Sequence, residues 1–429
     1  MKKLLSLLLV ALMLVSIVAC GSTEDNSSSV ADSQSESQAD ESATSTDSAA
    51  SDTESAAELD LSELTIGLIC LHDENSTYDL NFINAMNEAK ATLGLKDEQV
   101  IIVPNVPEGT ECYDAAVRLV EDYECDIVFA NSFGHETYLM QAAEEYPEVE
   151  FCHATGTMAH TDGTDNFHNA FASIYEGRYL AGIAAGLKLN EMIAAGKITA
   201  EQAKIGYVGA FAYAEVKSGY TSFFLGARSV CPSATMEVKF TDSWYNETLE
   251  KEAALALINA NCVLISQHAD SMGAPAACEE KGVPNVSYNG STISACPNTF
   301  IVSSRINWAP YYQYVVNCWA TDTAVADDWC GGIKEGSVVL TEVNTKAAAE
   351  GTQAAIDAAI EQFNAGTLHV FDTANFTVDG QKLTSYKADV DTDAAYTPDT
   401  EVIIDGIFKE SSFRCAPYFD IDIDGITRT

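Results

Sequence analysis

Two successive series of short apolar strands alternating with amphipathic helices restrict the fold of this chain more than any other feature. The first series opens with Leu64-Thr65-Ile66-Gly67-Leu68-Ile69. A helical stretch after Thr77 then places Leu80, Ile83, Ala85, Met86 and Ala89 on one face, before Gly94 stops it. Strands at Val100–Val103, Asp126–Ala130 and Val149–Cys152 alternate with helices over Ala115–Tyr123 and around Met140–Glu144. Short βα repeats of this kind demand a parallel sheet covered by helices on both faces.

The rhythm then restarts. Helices at Glu176–Leu187, Lys217–Arg228, Glu247–Ile258 and Gly273–Lys281 alternate with strands at Lys204–Val208, Met236–Phe240, Val263–Ser266 and Val283–Tyr288. Two α/β sheets of similar size predict two lobes, with a ligand cleft at the carboxyl ends of their strands. A helix at Pro310–Ala320 and a strand at Val338–Leu340 let the chain cross between them. The expected division is 61–173 plus about 302–335 for the N-terminal lobe, and 174–301 plus about 336–429 for the C-terminal lobe. From Val370 onward the pattern reads as irregular or β.

What precedes the lobes fixes the compartment. Lys2 and Lys3 lead an apolar run of roughly 15 residues, the length of a signal-peptide core and too short to span a bilayer. It ends in Ala19-Cys20, the pattern of a bacterial lipoprotein signal over 1–20, with a lipid expected on Cys20. Residues 21–60 are Ser, Ala, Thr, Asp, Glu and Gln with no basic residue, an acidic tether with too little apolar surface to offset its ordering entropy. The expected location is the extracytoplasmic face of a bacterial cell membrane, held there through that lipid. The formal charge of -42 argues against nucleic acid as a partner of the folded part, since both would be polyanions. Eleven of the 12 cysteines follow Cys20, without metal spacing, and mostly free thiols are expected.

In such a fold the residues just after each strand face the cleft. Here they pair aromatic rings with carboxylates or carboxamides. The first strand leads to Asp73, Tyr78 and Asp79, and a later one to Phe133. The second lobe supplies Phe211, Trp244, Gln267, Asp270 and Asn289, and Trp308 follows in Asn307-Trp308-Ala309-Pro310. Stacking on an aromatic face contributes ~1–3 kcal/mol per base, and amide or carboxylate groups read the edge of a planar heterocycle. Strand-end aromatics also serve as rim packing, and polar residues there as helix caps. Gly-x-Ser-x-Gly, Walker A and His-Glu-x-x-His are absent, and no catalytic, metal or cofactor site is expected.

Several segments together resemble the basic-membrane-protein family of lipoproteins, substrate-binding components of ABC transporters that include purine nucleoside receptors. They are Leu64–Ile69 with Ser76-Thr77-Tyr78-Asp79, Tyr175–Gly186, Lys204–Gly209, Glu250–Ala254 and Gln267–Ser271, and the resemblance spans about 63 to 345. It implies a type I, sugar-receptor-like periplasmic-binding-protein clamp, non-enzymatic, that delivers its ligand to an ABC permease in the membrane. Carried over by position, Tyr78 replaces a stacking Phe and Asp79 the neighbouring Asn that contacts the base. Gln267–Ser271 and Trp308 resemble a branch suited to free purine bases. Nucleoside-binding members carry an acidic residue for ribose where this chain has Asn289-Gly290-Ser291, so a nucleobase is expected ahead of a nucleoside. Two alternatives stay open: a surface enzyme processing nucleosides with His268 and Asp270 as acid–base partners, and the same clamp holding a sugar or another small metabolite.

Overall fold

The computed structural model describes residues 59–393 and 395–429; Cys20, the segment before it and nearly all of the tether lie outside them. In the first lobe, strands β1 (Ile66–Ile69), β2 (Val100–Val103), β3 (Ile127–Ala130), β4 (Glu150–Ala154) and β5 (Phe167–Ala172) alternate with helices. These are α1 (Thr77–Leu93), α2 (Thr110–Tyr123) and α3 (Glu136–Glu145). Local chemistry sets the helix ends. The Ser76 hydroxyl accepts the Asp79 N–H to cap α1, and Gly94 ends it in the left-handed conformation at φ 71°.

The second lobe opens with α4 (Ile174–Ala194). It continues through β6 (Lys204–Gly209), α5 (Ala214–Val230), β7 (Thr235–Phe240), α6 (Glu247–Asn259), β8 (Leu264–Gln267), α7 (Gly273–Lys281), β9 (Asn285–Tyr288) and β10 (Phe300–Ile306). The chain then returns to the first lobe with α8 (Ala309–Ala320), which packs on α1, and β11 (Asp328–Gly331). It finishes in the second with β12 (Val338–Leu340) and α9 (Thr352–Asn364).

The first sheet runs β11-β5-β4-β3-β1-β2 and is parallel throughout. The second runs β12-β10-β9-β8-β6-β7 and gains a final parallel strand, Ile426–Arg428, beside β7; only β12 is antiparallel. The crossings therefore fall slightly off the expected places. β10 belongs to the second sheet up to Ile306, so the return to the first lobe comes after 306 rather than near 302. The later crossing follows Gly331, because the Glu176 carboxylate on α4 accepts the Ile333 N–H at 2.8 Å and ties that turn to the second lobe.

Helices α4 and α5 touch through glycines. A Cβ on Gly182 would lie 2.0 Å from the Phe223 carbonyl oxygen, and one on Gly226 2.1 Å from that of Tyr179. The obstacle is backbone, which cannot rotate away. Gly182→Ala is expected to lower the unfolding free energy by about 1–3 kcal/mol through overpacking. Urea denaturation should show a lower midpoint at unchanged slope; an unmoved midpoint would mean that the helices part at no cost.

Residues 370–429 form no separate layer. Phe371, Phe408 and Phe419 lie in the core of the second lobe, with Phe371 stacked on Phe419 at 4.3 Å. Cys415 and Ala416 enter the core of the first, where the Cys415 N–H donates to Asp328 on β11 at 2.6 Å. All eleven cysteines among the described residues are free thiols, ten of them buried.

Candidate functional site

The two sheets point their carboxyl ends at one cleft of about 410 Å³, part of it open to solvent. The lobes meet around it. The Thr77 N–H and hydroxyl both donate to the Asp270 carbonyl at 3.2 Å, the His72 ring lies 5.4 Å from Tyr245, and Phe133 lies 5.8 Å from Tyr213. This is a closed clamp.

From the first lobe, the start of α1 supplies Tyr78 and Asp79. The Tyr78 hydroxyl donates to the Asn131 carbonyl at 2.6 Å, which holds its ring along the wall. Asp79 Oδ1 accepts from the His72 N–H at 3.1 Å and from Asn131 Nδ2 at 2.7 Å, so one carboxylate joins the loops after β1 and β3. Its Oδ2 lies 3.4 Å from His72 Nδ1 and has no hydrogen-bond partner. Burial raises the Asp79 carboxyl, but the bonds from His72, Ser76 and Asn131 outweigh it and hold the group below the ordinary carboxylate range. Asp79 thus stays ionised, with Oδ2 buried beside His72 and without a hydrogen-bond partner.

From the second lobe, the loops after β7, β8 and β9 supply Trp244, Asp270 and Asn289. The Asp270 N–H donates to the Trp244 carbonyl at 3.0 Å, and its Oδ1 accepts from Asn289 Nδ2 at 2.9 Å. Burial, with Glu250, Asp79 and Glu215 nearby, pushes Asp270 well above its usual range against that one bond. Beneath it Glu250, fully buried, accepts the Ser271 N–H at 3.1 Å and the Asn246 N–H at 3.0 Å. Glu250 thereby fastens the Trp244 and Asp270 loops together; burial raises its own carboxyl to about 7.

Of the residues expected at the site, Tyr78, Asp79, Phe133, Trp244, Asp270 and Asn289 line the cleft. The other four lie elsewhere. Trp308 is in the core of the first lobe, 1% exposed and stacked on Phe82 at 4.4 Å. Gln267 donates to the Ala269 and Ser271 carbonyls at 2.9 and 3.2 Å, shaping the loop that carries Asp270 without reaching the cleft. Phe211 stands behind the wall, edge-on to Trp244 at 5.0 Å and stacked on Tyr213 at 5.1 Å. Asp73 faces away and accepts from Asn75 at 2.8 and 3.0 Å.

Sequence reasoning did not place His72, Thr155, Glu215 or Tyr288 in the wall, and it weighed His268 only as an acid–base partner. Thr155 and His268 follow strands directly, Tyr288 ends one and His72 lies in the loop after β1, and that position was the available signal; Glu215 sits in the first turn of α5 and had none. Thr155 is also strained. Its φ of 73° puts a β-branched residue in the left-handed region, and its buried hydroxyl has no partner. The left-handed strain of ~1–2 kcal/mol exceeds the extra entropy glycine loses on folding, ~0.5–1 kcal/mol. Thr155→Gly is therefore expected to raise the melting temperature of the ligand-free protein slightly and to weaken ligand binding. A lower melting temperature, or unchanged affinity, would contradict that reading of the strain.

A two-lobed α/β clamp closing on a small cleft defines a solute-binding protein. The chain belongs to the PnrA-like family of ABC transporter substrate-binding proteins, whose family model matches residues 66–367. It is a binding protein, not an enzyme, as its family is. It is 30% identical over 277 residues to a purine-binding protein of Brucella abortus, covering 63% of this chain and 74% of that one. It is 32% identical over 228 residues to a Haloferax volcanii protein named for glucose binding by an ABC transporter, spanning 52% of this chain and 54% of that relative's length. Among solved structures, an ABC transporter solute-binding protein of Conexibacter woesei matches with a TM-score of 0.57 at 20% identity, covering 71% of this chain and 98% of that one. One from Aeropyrum pernix gives 0.58 at 14% identity, covering 71% and 92%. These two share the fold. Among the described residues no helix is long and apolar enough to cross a membrane.

Proposed function

We propose that this protein captures a free purine base for an ABC importer, tethered to the membrane by a lipid on Cys20, and presents it to the permease. The observation that carries the reading is the pairing of Tyr78 and Trp244, from opposite lobes, with Asp79, Glu215 and Asp270 around a cleft of about 410 Å³. The rings suit a flat ligand, and carboxylates accept from its ring or exocyclic N–H groups with charge-assisted bonds. Among the described residues the lining contains no lysine or arginine, so it offers no ammonium or guanidinium to a phosphate. Asn289, which lines the wall where nucleoside receptors carry an acid, favours a base over a nucleoside. The Brucella abortus relative supports a purine.

The Haloferax volcanii relative favours a second reading, a sugar in the same cleft, since sugar sites also combine aromatic faces with carboxylates. A thermal-shift panel of purine bases, nucleosides, pentoses and hexoses separates the two. A ligand at 100 times its Kd adds ~2.7 kcal/mol of stability. Raised melting with adenine or guanine alone is the expected result; a response to sugars alone would overturn the purine reading and keep the clamp.

A further inference from the structure

Arg178, on α4, is fully buried beneath the cleft floor, and no carboxylate pairs with it among the described residues. Its guanidinium donates to the carbonyl oxygens of Ser287 at 3.1 Å and Gln267 at 3.4 Å, to Ser266 Oγ at 3.0 Å and to the Tyr207 hydroxyl at 2.9 Å. The faces of Tyr207, Phe223 and Tyr288 lie 5.0–5.4 Å from its charge. A guanidinium has donors only. The Tyr207 oxygen must therefore accept from Arg178, and its single proton points elsewhere. Tyr207 is 0% exposed, and its other polar neighbour is His268 Nδ1 at 3.3 Å. A buried hydroxyl proton left unpaired costs ~1–3 kcal/mol, so Nδ1 is the acceptor. The imidazole then carries its proton on Nε2, which lies 3.5 Å from Glu215 Oε1 on α5.

We propose that Arg178, Tyr207 and His268 form a one-way hydrogen-bond relay that holds His268 as the neutral Nε2–H tautomer and presents Glu215 to the cleft as a specificity-determining acceptor. The direction of every bond follows from its first member, because arginine cannot be turned around. Glu215 lines the cleft with its side chain 16% exposed, and with Oε1 engaged by His268 its Oε2 is free to accept an N–H of the ligand. The groups facing His268 agree from each side: Arg178 from α4, Tyr207 from β6, Glu215 from α5 and the Tyr288 ring from β9 at 4.4 Å. Burial and the Arg178 charge both disfavour the imidazolium, more than Glu215 favours it. Gly219 makes the room: a Cβ there would lie 2.6 Å from His268 Nδ1. The contact of Glu215 with a ligand rests on the purine reading, whereas the tautomer does not.

The test has two arms on the full chain. Long-range nitrogen–proton NMR of ¹⁵N-histidine-labelled protein at pH 7, with His268→Gln to identify the signal, should show His268 neutral and protonated on Nε2. Tyr207→Phe should shift its Nδ1 resonance toward that of a free acceptor. Calorimetry with adenine as the probe should show affinity at least tenfold weaker for Glu215→Gln and several-fold weaker for Tyr207→Phe. An Nδ1–H tautomer, an imidazolium, or wild-type adenine affinity in Glu215→Gln overturns the relay. A wild-type protein that ignores adenine yet carries the Nε2–H tautomer overturns the purine reading instead and supports the relay.

Discussion

Asp270→Ala should weaken adenine binding tenfold or more while leaving the ligand-free protein at least as stable as the wild type. The first half follows from the loss of a buried hydrogen-bonding group of the cleft, since a ligand polar group left unpaired when buried costs ~1–3 kcal/mol. The second half follows from the environment of the group. Burial, together with Glu250, Asp79 and Glu215, raises the Asp270 carboxyl well above its usual range, with a single opposing bond from Asn289. A carboxyl raised by folding contributes stability that is fully present below its unfolded pKa and lost as pH rises through the folded one. At neutral pH alanine therefore removes a group whose ionisation opposes the closed form. Calorimetry and a melting curve on the same sample check both halves. Undiminished affinity would remove Asp270 from the site, and a large drop in melting temperature would make it a structural residue.

Glu410→Gln should stabilise the protein at pH 8.5 and do little at pH 4. Glu410 is 3% exposed, and burial raises its carboxyl to about 8 despite bonds from Ser218 and the Tyr418 N–H. The sign is that of a raised acid: the wild type retains the full contribution below about pH 4.5, where the unfolded group titrates, and loses it as pH climbs through 8. A tenfold change in proton affinity between the folded and unfolded chains corresponds to ~1.4 kcal/mol, so the loss is on the order of a few kcal/mol above pH 8. Glutamine keeps the shape and cannot ionise. Glu176 and Glu250, each raised to about 7, add to the same slope. Urea titrations at the two pH values decide it; equal midpoints for wild type and variant at pH 8.5 would show that Glu410 finds a compensating partner when charged.

Much of this architecture was legible because apolar strands and helix faces repeat with their own periods. The missed elements are those where polar residues are buried. β5 reads Phe-His-Asn-Ala-Phe-Ala, with His168 paired to Glu150 at 2.6 Å and Asn169 bound to the Ala159 N–H at 2.8 Å, so its burial rests on partners outside the strand itself. β11 exposes parts of Asp328, Trp329 and Cys330 and carries no clear apolar signal. At the site, strand ends were readable because a parallel sheet sends every one of them to the same edge. The direction in which a strand-end side chain points is another matter. Trp308 went to the core because α8 docks on α1 and brings the indole over Phe82, and Gln267 turned back to bind its own loop. Glu215 entered the wall from the first turn of α5, through tertiary placement that local pattern does not encode.

The family match ends at 367, yet the chain beyond it reaches into both cores, with Cys415 and Ala416 on one side and Phe419 on the other. The lobes are thus tied by an excursion of the chain through 415–416, besides the crossings near 173, 307 and 332. The pivot is a belt rather than a pair of straps. A protein cut at the family boundary would lose both that tie and the aromatic filling that Phe371, Phe408 and Phe419 give the second lobe.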